Sequence, residues 1–202
     1  MIVRQDTILE METRYRANFI NSLGGFKSAI MVGTTDGEGH PNLAIFSSLF
    51  HIGANPALCG LIVRPATPGQ NTLGNILKTQ SFTLNHLNMD NYAAAHQTSA
   101  KYAQGESEFD AVGLTPLYEE GIAAPFVKES HIRIGCELVQ KTDIALNGTT
   151  LLIGKIIFVD VPEHLIQSDG YIDLETAGTL TCSGLDSYHK TERVERLRYA
   201  KV

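Results

Sequence analysis

No run of this chain stays apolar for the roughly 20 residues that a bilayer crossing takes, and its first residues carry no apolar core of signal-peptide type. The expectation is a soluble, cytoplasmic protein with no membrane partner. A surplus of positive charge is missing too. The formal charge is −6 and no basic stripe stands out, which argues against a nucleic-acid surface. Cysteine is scarce: Cys59, Cys136 and Cys182 are odd in number and widely spaced, so a disulfide framework is not expected. Several chemical signatures are also absent. There is no Walker-type loop, no GxGxxG after an opening strand, no HExxH and no GxSxG. The seven histidines are scattered at 40, 51, 86, 96, 131, 164 and 189 without a Cys/His quartet, so no metal site is expected.

What is present is a chain of 202 residues, 43% hydrophobic and free of long low-complexity tracts. That is enough for one well-filled core and short for two full domains, so a single domain over 1–202 is expected. Ile8–Leu23 reads as an amphipathic helix with Met11, Tyr15, Phe19 and Leu23 every four residues, ended by Gly24-Gly25. Packing on the chain's own core and binding a partner are both open to it. Ser28–Thr35 is a short apolar run, and Asp36-Gly37-Glu38-Gly39 is turn chemistry leading into a strand over Asn42–Phe50. Strands are expected again at Ala57–Val63 and Phe82–Leu87, with a short helix over Asn71–Lys78 between them. From about 88 to 115 the period changes to helical: Asp90 and Ser107 are candidate caps, and Gly113 a stop. His131–Gln140 alternates cleanly, Asn147-Gly148 is a two-residue hairpin signal, and Leu151–Val161 is a long apolar strand that needs cover on both faces. From about 162 to 202 strand periodicity is lost, and Lys190–Lys201 reads as a short solvated helix or an arm reaching a neighbour. The fold class is mainly β, with an N-terminal helix, a helical insertion and a C-terminal arm.

His40–Lys78 carries the most chemistry. On a regular strand Ser47 and Ser48 point to opposite faces, and an unpaired buried hydroxyl costs roughly 1–3 kcal/mol. One atom cannot collect both hydroxyls unless the strand bulges or ends there. Arg64 ends an apolar strand at a proline, and Asn71-Thr72 opens a helix whose free amides attract anions. Hydroxyls, a guanidinium and a helix start within one segment point to a phosphate-bearing ligand; an ordinary buried strand with satisfied serines is the alternative.

The run NLAIFSSLFHIGANPALCGLIVRP, followed by NTLGNI, FTLNHL, TSAKY, SEFDAVGLTP, PFVKES and LLIGKIIFVDV, resembles the flavin reductase-like group of FMN-binding split-barrel proteins. The resemblance covers roughly Phe26 to Val161. It implies a split β-barrel that binds FMN between the subunits of a homodimer. The strand backbone of Ile45, Phe46, Ser47 and Ser48 would lie under the flavin ring, and Asn71, Thr72 and Asn75 at the helix start near the phosphate. Such proteins usually carry a basic residue two places before the helical threonine, where this chain has Gln70. Phosphate charge would then fall to Arg64, to amide groups or to the partner subunit. Tyr102 is a candidate for covering the flavin, or for packing on a neighbouring helix. His51 is a candidate for contacting flavin or nicotinamide, or for a structural turn. Three uses are compatible with the resemblance: hydride transfer from NADH or NADPH to FMN, storage or electron carriage by bound FMN, and a pyridoxamine-phosphate oxidase-like reaction.

Overall fold

The computed structural model describes residues 1–65, 71–103 and 105–201. Its main body is a seven-stranded antiparallel sheet built from β2 (Ile30–Thr35), β3 (Pro41–Phe46), β4 (Leu49–Ala54), β5 (Ala57–Val63), β6 (Ser81–His86), β9 (Arg133–Ile144) and β10 (Thr149–Asp160). Their order is β3-β2-β6-β9-β10-β5-β4. The two edge strands, β3 and β4, are thus consecutive in sequence and separated only by Ser47 and Ser48. Two residues span at most about 10 Å, so the sheet must curl until its edges meet. Across the gap Ser28 Oγ donates to the Leu49 carbonyl at 2.8 Å, and Ser48 Oγ fixes the connection onto β5 by donating to the Ile62 carbonyl at 2.7 Å. The strand expected over Asn42–Phe50 is therefore two strands. It breaks at the serine pair because the chain there leaves one edge of the sheet and joins the other.

Curling produces two apolar layers. Val32, Leu61, Phe82, Leu84, Cys136 and Leu152 fill the barrel interior. Met31, Leu43, Leu87, Phe109 and Leu180 form a second cluster outside it. β2 contributes to both through the period-two alternation of a strand, which is why it is buried along its whole length. The outer cluster is covered by α4 (Tyr92–Gln97), α5 (Glu108–Val112) and β11 (Leu180–Ser183), the last in a small sheet with β1 (Lys27–Ser28) and β12 (Ser187–Lys190). A hairpin of β7 (Pro116–Glu119) and β8 (Ile122–Val127) completes the body. β8 lies so close to β2 that a Cβ at Gly33 would come within 2.1 Å of the Pro125 carbonyl oxygen.

Several sequence expectations are corrected. The N-terminal helix is two helices, α1 (Gln5–Glu10) and α2 (Thr13–Ser22), because Glu12 turns its carboxylate onto the amides of Arg14 and Tyr15 and caps a new helix. Neither helix contains a fully buried residue. α4 is preceded by Asn91, not capped by Asp90, whose amide donates to the Asn88 side chain. Ser107 does precede α5, but its hydroxyl donates to the Pro41 carbonyl instead of capping. The β9–β10 turn spans four residues, 145–148, and ends at Gly148 with φ 72°. β10 is central, between β9 and β5, as its apolar sequence requires. The tail is not helical: residues 191–201 carry no regular structure, and Arg193 and Arg196 stack on Tyr171 while pairing with Asp173 and Asp169. All three cysteines are free, with Cys59 Sγ 3.9 Å from Cys136 Sγ.

Candidate functional site

β3 is the spine on which the candidate residues are strung. At its first end Asn42 donates to Thr34 Oγ1 at 3.2 Å and to Thr72 Oγ1 at 3.3 Å, and Asn75 donates to Thr34 Oγ1 at 3.2 Å. All four are buried. A buried amide without partners is costly, so this network fixes where α3 (Thr72–Thr79) begins relative to the sheet. Asn71 precedes the helix without a side-chain cap. The first amides of α3 thus have no capping side chain among the described residues and keep the anion-attracting character of a helix start.

At the far end of β3, Ser48 is committed to Ile62, whereas Ser47 has no side-chain hydrogen bond among the described residues. Arg64 follows β5 two residues beyond Ile62; it is exposed and has no carboxylate partner among the described residues. Ser48 lies against Ile62 and Asn42 against Thr72, and the span from Asn42 to Ser48 is about 20 Å at strand rise. The serine pair and the helix start with Thr72 and Asn75 thus lie toward opposite ends of β3. Gln70 lies outside the described residues.

The outward amides of β3 are covered by the helical segment. Leu43 N–H donates to Glu108 Oε2 at 3.0 Å and Ile45 N–H to Thr98 Oγ1 at 3.0 Å. Burial pushes the Glu108 carboxyl above its ordinary value. The Ile45 side chain packs into the outer apolar cluster and Phe46 into the barrel interior. Tyr102 donates its hydroxyl to the Gln97 carbonyl at the end of α4. His51 is an exposed residue within β4, not a turn residue.

Sequence reading missed Thr34, Asn42, Thr98 and Glu108. The only available signal was polar residues inside or beside apolar runs, and their partners lie 8 to 65 positions away.

A sheet whose edge strands are joined by two residues and closed on itself defines a split-barrel protein. Within that class, the chain belongs to the flavin reductase-like family, whose domain it matches over residues 23–175. It is similar to a split-barrel protein of Shewanella frigidimarina NCIMB 400 assigned as a flavin reductase, with 48% identity, a TM-score of 0.95, and 99% of this chain and 100% of that one covered. It is also similar to nitrilotriacetate monooxygenase component B from Bacillus cereus, at 25% identity, TM-score 0.85 and 98% of both chains. An uncharacterised protein of Halalkalibacterium halodurans is 30% identical over 150 residues, 71% of each chain.

Proposed function

We propose that this chain, as a single domain over 1–202, binds FMN along β3 and works as an NAD(P)H-dependent flavin reductase. The observation that carries the reading is the start of α3, which no described side chain caps, anchored by Asn42 and set about 20 Å along β3 from Ser47 and Ser48. That spacing suits an elongated ligand with a ring at one end and a phosphate at the other. The residues fit the group: amides of Thr72 and its neighbours receive the phosphate, Arg64 adds positive charge in place of the basic residue that Gln70 lacks, and Ile45–Ser48 present backbone and the Ser47 hydroxyl to the ring. Bound flavin would supply the redox chemistry, with a reduced nicotinamide as hydride donor. The chain's task is to bind, orient and leave one ring face open.

The reading includes a homodimer. Phe50 and Ile52 on β4, with Ile157 and Val159 on β10, are exposed apolar side chains on the barrel's outer surface. A second copy placed there covers them and completes the ligand sites.

The test is to load the purified protein with FMN and follow the visible spectrum on anaerobic mixing with NADH and with NADPH. Bleaching faster than that of free FMN by either coenzyme supports the reductase. Tight FMN binding without faster bleaching turns the assignment to storage or electron carriage, and no binding at high micromolar FMN overturns the flavin reading.

A further inference from the structure

We propose that α1 and α2 pack on a second copy of this chain as a clasp; the inference rests on the dimeric reading above. α1 has six residues and α2 ten, and neither has a fully buried side chain. Helices shorter than about 12–15 residues are marginal in water by themselves, and most helix stability in proteins comes from packing an apolar face. The protomer gives these helices mainly polar, local support. Glu12 caps α2, Arg16 donates to the Leu9 and Met11 carbonyls and so ties the two helices together, and Lys27 donates to the Asn21 and Gly184 carbonyls.

The apolar side chains are left largely uncovered, with Phe26 meeting the edge-on His189 ring at 4.8 Å. Tyr15, Leu23 and Phe26 are 61%, 68% and 70% exposed, and Leu9 and Ile20 are exposed as well. Tyr15 and Leu23 lie two turns apart on one stripe with Phe19 between them. Together the five residues leave uncovered on the order of 600 Å² per copy, against about 800 Å² per partner in a standard interface. Under a two-fold axis the same patch is contributed twice.

A lipid surface fits less well. Arg4, Arg14 and Arg16 are matched by Asp6, Glu10 and Glu12, whereas surface-seeking helices carry a basic polar face.

The experiment compares wild type with the Tyr15→Asp/Leu23→Asp variant by sedimentation over a range of concentrations. The clasp requires the variant's dimer dissociation constant to rise about tenfold or more. A dimeric wild type with a variant constant within about twofold overturns the clasp and leaves the dimer standing. A wild type that is monomeric throughout overturns both. If the variant fails to fold by circular dichroism, limited trypsin cleavage of wild type after Arg14 and Arg16 decides. Protection of about tenfold above the dissociation constant, relative to below it, supports the clasp, and equal rates overturn it.

Discussion

His86, at the end of β6, has a ring enclosed by protein although part of the residue meets solvent, and its Nδ1 lies 3.3 Å from Thr179 Oγ1. Burial lowers its pKa from 6.5 to about 4. The folded state therefore binds fewer protons than the unfolded one. The resulting stability is fully present above pH 6.5 and is lost as pH falls from 6.5 through about 4. We expect urea midpoints of the wild type to fall over that window, with a total on the order of 2 kcal/mol after allowing for partial exposure, and His86→Gln to flatten the profile. A profile identical in the variant would assign the acid sensitivity elsewhere. Gly33 poses a steric case at the same scale. Its Cβ would meet Pro125 O at 2.1 Å and Thr83 Oγ1 at 2.5 Å. Gly33→Ala should thus lower stability by about 1–3 kcal/mol in denaturant melts. Arg64 is exposed and its proposed role is charge, so Arg64→Ala should weaken FMN roughly tenfold or more while leaving riboflavin unchanged in fluorescence titrations. Equal loss for both ligands would place Arg64 at the ring or in folding.

Among the elements, α3 depends on Asn42. One side-chain amide joins β2, through Thr34, to the helix start, through Thr72. In Asn42→Ala the Thr72 hydroxyl loses this donor inside the protein, and the helix start loses its tether to the sheet. We expect about 1–3 kcal/mol of destabilisation in urea titrations and weaker FMN binding, because the anion-binding amides would no longer be held in place. Unchanged FMN affinity in a folded variant would separate the helix start from the ligand. The covered edge of β3 is a second case. A free strand edge invites pairing with other chains, and Glu108 and Thr98 occupy it instead.

For the molecule as a whole, the proposed homodimer puts its interface on the outer barrel surface. Ile157→Asp/Val159→Asp should shift the sedimentation boundary toward monomer, while a monomeric barrel, measured at high dilution, keeps its melting behaviour to within about 0.5 kcal/mol. A fully dimeric variant would move the interface to another face. Reduction of bound FMN by NADH or NADPH should show little pH dependence near neutrality, because Ser47, Ser48, Thr72 and Asn75 do not titrate there, and His51→Ala should lower the rate only modestly. A steep pH profile that disappears in His51→Ala would give that residue a direct part in the reaction.

The sequence by itself determined the strand-rich class, a long apolar strand over Leu151–Val161 that the structure has at Thr149–Asp160, the apolar run of β5 and the helix opening at Thr72. Each of these depends on local periodicity or on turn and cap chemistry. Only the tertiary structure decided that Asn42–Phe50 breaks at Ser47-Ser48, because that break answers to Ile62 and to the opposite sheet edge rather than to any neighbour in the chain. It also decided that Ser48 and Thr72 belong to opposite ends of β3. The split of the N-terminal helix had a legible cause in Glu12, but that residue has the same composition value inside a helix or before one. Its capping role appears only when the carboxylate meets the amides of Arg14 and Tyr15. β11 and β12 escaped notice for a related reason. They are four-residue strands, too short for alternation to register, and they exist because β1 and the outer apolar cluster supply their partners.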